Sequence, residues 1–185
     1  MRAAPIPENE AARLETLRQY QVLDTDSEEA FDDLTQLAAY VCQTPTALIS
    51  LVDENRQWFK ACVGLQARET PRDISFCAHA ILGKGCMIIE DALFDERFVD
   101  NPLVVSEPFV RFYCGMPLVS PEGFAIGTLC VIDRKPRTLD DKQLGALQML
   151  TNQVMSQLDL RRGVRFCKTA LEKHKRAEAA LRQGS

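Results

Sequence analysis

The sequence predicts an α+β domain: an antiparallel sheet with helices packed on it, ending in a long helix. Three observations predict it. Two pairs of apolar, β-branched segments are each joined by a short polar turn, as antiparallel hairpins require. Helical patterns occupy both ends of the chain, which implies helices packed on one face of the sheet. No GxGxxG or GxxxxGK[ST] run occurs, so a doubly wound nucleotide fold has no support.

Residues 8–20 have helix-forming composition, with Leu14, Leu17 and Tyr20 at helical spacing. The stretch from Gln21 breaks this helix, and Ser27 is placed to cap a second one through its hydroxyl. That second helix should run to about Cys42 with Phe31, Leu34, Leu37, Ala38 and Val41 inward, until Thr44-Pro45 stops it. Residues 46–53 and 57–63 form the first predicted hairpin around Asp53-Glu54-Asn55, and 64–73 reads as loop. A short helix over 75–82, capped by Ser75, ends at Gly83-Lys84-Gly85. Residues 86–90 form a short buried strand, followed by an irregular, acidic, proline-containing segment over 91–109, the kind of long connection that carries function when ordered. Residues 111–120 and 124–133 form the second hairpin, and a helix runs from about 140 to the end.

In that last helix Leu147, Leu150, Val154 and Leu158 make one apolar stripe. Beyond it Leu160, Val164, Cys167, Leu171, His174, Glu178 and Leu181 follow alternating steps of four and three, the seam of a two-stranded coil. The two registers do not join without a shift near residues 158–160. The boundaries that follow are 1–26 for a lead-in helix, 27–158 for the sensor-like body and 159–185 for a coiled-coil linker helix, with a homodimer expected through the N- and C-terminal helices.

The chain has 185 residues and a net charge of −4, but residues 159–185 carry +5 and leave −9 on the body. An acidic body argues against a nucleic-acid partner. No window approaches a membrane span, and the N-terminus lacks the apolar run of a signal peptide, so the expectation is a cytoplasmic, membrane-free fragment. Seven cysteines without a CxxC pair, and two histidines far apart, give no metal site. Cys42, Cys62, Cys114 and Cys130 are expected in the core as small apolar side chains.

The segments Leu51-Val52-Asp53, Gln57-Trp58-Phe59-Lys60, Glu69-Thr70-Pro71-Arg72, Ile74-Ser75-Phe76-Cys77-Ala78-His79, Asp95-Glu96-Arg97-Phe98, Asn101-Pro102, Arg111 to Leu118 and Gly127 to Asp133 resemble, in that order, the GAF domains of bacterial signalling proteins. The likeness runs from about residue 10 to 158. It implies a six-stranded antiparallel sheet, helices behind it, and a ligand-sized cavity roofed by residues 64–109. It also implies a non-catalytic module that regulates an attached output domain. The stretch Lys175 to Gln183 resembles the helix entering the dimerisation domain of sensor histidine kinases, which makes two-component signalling the leading expectation. Diguanylate cyclases use similar connectors and stay open as the alternative.

The candidate ligand-binding residues are Phe76, Cys77, His79, Phe98, Phe109, Arg111 and Tyr113: aromatics flanking the insertion, a cationic Arg, and a thiol near a helix start. The competing reading makes the aromatics core and pairs Arg72 and Arg97 with nearby acids. Cys77 and His79 lie about 200° apart around a regular helix and so face different ways. No cofactor is named. Bilin-carrying relatives attach the pigment through a Cys, often followed by His, ahead of the second hairpin, and the stretch Asn101 to Phe112 has neither residue. GAF relatives that reduce free methionine sulfoxide use a thiolate set around a closed pocket, which keeps a thiol redox sensor or reductase using Cys77 as a second alternative. A cyclic-nucleotide site and a ligand-free dimerisation scaffold also stay open.

Overall fold

The computed structural model describes residues 1–183. Its strands are β1 (Thr46–Val52), β2 (Arg56–Val63), β3 (Glu69–Pro71), β4 (Met87–Ile89), β5 (Phe112–Val119) and β6 (Ala125–Asp133), arranged β3-β2-β1-β6-β5-β4 with every neighbouring pair antiparallel. Its helices are α1 (Glu10–Gln19), α2 (Glu29–Cys42), α3 (Phe76–Ala80), α4 (Pro102–Val105) and α5 (Asp141–Gln183). This is the α+β architecture expected. The loop over 64–73 contains β3, which the sequence hides because a three-residue polar segment ending in Pro has no apolar alternation to read.

The sheet is covered on both faces: the helices of the chain ends share one, as expected, and α3 with the insertion covers the other. Ala47, Ile49 and Leu51 of β1 face α2 and α5, whereas Leu48 and Val52 face α3 and the insertion. This two-sided cover explains why β1 is buried along its whole length and reads as a continuous apolar run. Beside it, a Cβ on Gly127 would lie 2.1 Å from the backbone oxygen of Ser50, so the β1–β6 approach requires glycine.

Ser27 does not cap α2. The preceding position belongs to Glu28, whose side chain turns instead to Lys60 and Arg161. The buried stripe of α2 is also rotated from the expected one, to Phe31, Thr35, Ala38, Ala39 and Cys42, and leaves Leu37 46% exposed. Ser75 does cap α3, accepting the Ala78 amide hydrogen at 3.0 Å. Asp140 and Gln143 close a reciprocal capping box at the start of α5. The first stripe of α5 is buried, with Leu147, Val154 and Leu158 fully so, whereas Leu160, Val164 and Leu171 of the second are 61%, 66% and 53% exposed. No helix among the described residues is long and apolar enough to cross a membrane.

α1 is fastened by a buried ion network. Arg13, 2% exposed, donates to the Val52 carbonyl and to Glu10, which also receives Arg72. Burial disfavours the Glu10 carboxylate, but hydrogen bonds from Arg13 and Arg72 prevail and lower its pKa from 4.5 to about 2. A depressed folded-state pKa gives stability that is present in full above the unfolded value and lost as pH falls from about 4.5 toward about 2. Glu10→Gln should therefore cost about 2 kcal/mol at neutral pH and flatten the acid limb of stability. Urea denaturation across that pH window checks this, and an acid limb equal to that of the parent contradicts it.

Candidate functional site

On the face of the sheet opposite α2 and α5, the insertion encloses a cavity of about 170 Å³. Its floor is Leu48, Gln57, Phe59, Tyr113 and Ile132; α3 supplies one wall through Phe76 and Cys77, and Leu103, Pro108 and Val110 form the roof. The exposed Ala67 and Glu107 mark its mouth. An apolar cavity of roughly 150 Å³ takes a benzene-sized guest.

The roof is positioned by specific contacts. Asn101, 1% exposed, donates from its amide to the Ile74 carbonyl and accepts the Leu103 amide hydrogen, joining α4 to the start of α3. Gln57 ties the floor to the wall: its carbonyl oxygen accepts from Ser50 and from Ser75 at 2.7 Å, and its amide donates to Thr70 at 2.6 Å. Four elements thus meet at one buried amide, which leaves no unpartnered polar atom there.

Cys77 is sealed, 2% exposed, with Thr128 Oγ1 at 3.1 Å, Tyr113 Oη at 3.4 Å and Cys130 Sγ at 3.9 Å. Burial pushes its thiol pKa up, but donation from Cys130, Thr128, Tyr113 and Ser50 outweighs burial and holds it below the ordinary thiol range. The Cys130 thiol, as donor to Cys77 and buried, is held well above that range. Tyr113 reaches this cluster by folding along β5 over Gly115, where a Cβ would meet its hydroxyl at 2.2 Å.

Of the seven candidates, Phe76, Cys77 and Tyr113 line the cavity and the other four do not. Phe98 is fully buried behind it, stacked on Phe76 with ring centroids 4.0 Å apart. His79 packs edge-on against Phe98 and its Nε2 meets the Arg2 carbonyl at 3.0 Å, so it and Cys77 do face different ways. Burial lowers the His79 pKa. Arg111 is engaged by both oxygens of Asp91, at 2.7 Å each, and Phe109 is 44% exposed with a positive φ of 57°. Arg72 and Arg97 pair with Glu10 and Asp95. Cys42, Cys114 and Cys130 are fully buried, whereas Cys62 is only half-buried.

Gln57, Phe59 and Thr70 are cavity residues that sequence reasoning missed. Their signal was weak but present: Gln57 and Phe59 alternate along a strand, and a polar Gln within it marked a buried partner. On the other face of β2, a register shift leaves Lys60 without an opposite residue in β1. The Lys60 side chain is fully buried, with Nζ 2.7 Å from Glu28, 2.6 Å from the Asp26 carbonyl and 3.1 Å from Thr25. The same Glu28 oxygen receives Arg161 of α5 at 2.9 Å, and Arg161 also donates to the Tyr20 and Gln21 carbonyls. Burial opposes ionisation of Glu28, and the bonds from Lys60 and Arg161 prevail, lowering its pKa. The link stands where α5 leaves the domain body.

Comparison with known proteins agrees with this architecture. The chain is 44% identical over 167 residues to a cyclic di-GMP phosphodiesterase of Pseudomonas aeruginosa, covering 90% of this chain and 28% of that protein. It therefore spans little more than a quarter of the relative's length. The fold is similar to that of the GAF domain of an Acinetobacter phosphoenolpyruvate-protein phosphotransferase, with TM-score 0.60, 19% identity, and 83% and 96% of the two chains covered. It is similar also to a domain of a putative two-component sensor histidine kinase of Sinorhizobium meliloti (TM-score 0.61, 17% identity, 76% and 97% covered). A free methionine-R-sulfoxide reductase of Neisseria meningitidis shares it too (TM-score 0.60, 16% identity, 89% and 99% covered). At these identities the solved structures speak to fold alone. The sequence pattern of the GAF domain matches residues 26–158, and the chain belongs to the GAF domain family.

Proposed function

We propose that this GAF domain, a regulatory sensor module, holds a small apolar ligand in the cavity and reports it through α5 to an attached enzyme of cyclic di-GMP turnover. One observation carries the proposal. The strand that floors the cavity with Gln57 and Phe59 carries, on its other face, the Lys60–Glu28–Arg161 link to α5. A ligand shifts an output only through different affinities for two states, and a strand shared by cavity and link supplies a two-sided contact for such a difference. The name of the 44% identical relative supports an output in cyclic di-GMP turnover over the histidine kinase suggested by the last stretch of sequence. The exposed second stripe of α5 supports association of two copies along that helix.

The module's own role in this reading is non-catalytic. Cys77 is sealed among hydroxyls and a thiol, and His79, the nearest imidazole in sequence, points elsewhere. Benzene serves as the probe of the cavity. Methyl resonances of Leu48, Leu103 and Ile132 should shift together on saturation with benzene, and Leu103→Phe, which fills the space, should abolish the response. Shifts confined to other methyl groups would remove the cavity from the proposal.

A further inference from the structure

Beyond the sealed Cys77 and Cys130, a second pair of sulfurs lies on the other face of the sheet, where β4 forms its edge. Cys86 Sγ is 3.1 Å from Cys114 Sγ. The register explains the meeting: Ile88 of β4 stands opposite Cys114 of β5, so Cys86, two residues earlier, projects to the same face as a diagonal neighbour. That face is the one covered by α2 and α5. Cys114 is fully buried in the core, whereas Cys86 is half-buried and follows the exposed Gly83-Lys84-Gly85 turn. A Cβ on Gly85 would meet nothing within 4 Å, so the chain just before Cys86 is sterically open. Closing the sulfurs to bonding distance takes about 1 Å. The other close pair, Cys77 and Cys130 at 3.9 Å, has both sulfurs sealed from solvent, and Cys167 is exposed on α5.

We propose that Cys86 and Cys114 form a peroxide-responsive dithiol that oxidises to a disulfide stapling β4 to β5. Hydrogen peroxide is the oxidant. The Cys86 sulfur, as thiolate, attacks one peroxide oxygen; the S–O bond forms, the O–O bond breaks, and the departing hydroxide takes a proton to leave as water. The Cys114 sulfur then attacks the Cys86 sulfenic acid. The S–S bond forms, the S–O bond breaks, and the hydroxide leaves as a second water with the proton from Cys114. The two thiols lose two electrons in all, and the peroxide gains them. Division of labour follows from the surroundings: Cys86 is the half-buried member of the pair and Cys114 the fully buried one. Either sulfur can donate to the other; with Cys114 as donor the bond lowers the Cys86 pKa, and that bond together with burial raises the Cys114 pKa. A thiol reductant reverses the bond by two exchange steps. In the closed form the glycine-flanked turn that leads from α3 to the sheet is pinned to the core strand β5.

The test uses the whole chain with Cys167→Ser, which removes cross-linking between copies. Mild hydrogen peroxide should lower the mass by two hydrogens and yield a linked pair of peptides whose fragmentation places the bond at Cys86 and Cys114. Dithiothreitol should restore the mass. Cys86→Ser and Cys114→Ala should each abolish the linked pair, and Cys130→Ser should retain it. Since Cys114→Ala alters the core, Cys86→Ser carries the test by itself if that variant is poorly folded. A bond mapped to Cys77 and Cys130, or a linked pair that survives Cys86→Ser, overturns the proposal. So does a chain whose Cys86 and Cys114 both stay free while exposed Cys167 in the parent is fully oxidised.

Discussion

Phe98→Ala should destabilise the domain by about 4 kcal/mol, the cost of deleting a fully buried aromatic side chain. The ring does more than fill volume. It stacks on Phe76, meets the edge of the His79 ring, and lies under the Arg97 guanidinium, whose carbon is 5.1 Å from the ring centroid. The contacts with Phe76 and His79 join the insertion to α3, so the cavity roof should loosen with the global loss. Urea denaturation gives the first quantity, and hydrogen exchange over residues 74–82 and 101–110 gives the second. A loss below about 1 kcal/mol would place Phe98 outside the core role assigned here.

The second large effect is expected at Glu28. Glu28→Ala removes the carboxylate from a lysine whose side chain has no exposure, at a cost of about 3 kcal/mol. The reverse change is milder. Lys60→Met places an apolar chain above Phe31, whose ring centroid is 5.4 Å from the lysine nitrogen, and leaves Glu28 both partly solvated and paired with Arg161. The asymmetry distinguishes a buried cation from a simple exposed ion pair, for which both changes cost little. Urea denaturation of the two variants checks it, and equal losses contradict it.

Much of the fold was legible because both hairpins and both terminal helices repeat local patterns that survive packing. The failures are local and have physical causes. β3 is short, polar and at the sheet edge, so burial leaves no trace in its composition. α2 lost its expected cap because Glu28 is drawn to Lys60 and Arg161, partners far along the chain. Spacing alone points Leu37 inward, whereas Thr35 is buried instead, with a hydroxyl bond to the Phe31 carbonyl.

The site was legible in part for a different reason. Phe76, Cys77 and Tyr113 could be placed because α3 and β5 each present one recognisable face. The cavity's other walls come from β1, β2, β6 and the 65–70 segment, and only the register brings them together. Arg111 and Phe109 looked like ligand contacts because charge and aromatic area were all the sequence displayed. The structure gives the charge to Asp91 and leaves much of the ring in solvent. The Cys86–Cys114 approach was likewise hidden, since it depends on β4 pairing with β5 across an insertion.

In the function proposed above, the state of the cavity reaches α5 through the strand and link they share. The test is made in the Pseudomonas aeruginosa phosphodiesterase, with its matching segment replaced by the corresponding segment of this chain and cyclic di-GMP hydrolysis as the readout. Filling the cavity with Leu103→Phe should change the hydrolysis rate several-fold, and adding Glu28→Gln should return the rate to its unfilled value. A folded chimera whose hydrolysis is the same with the cavity filled or empty would contradict the proposal.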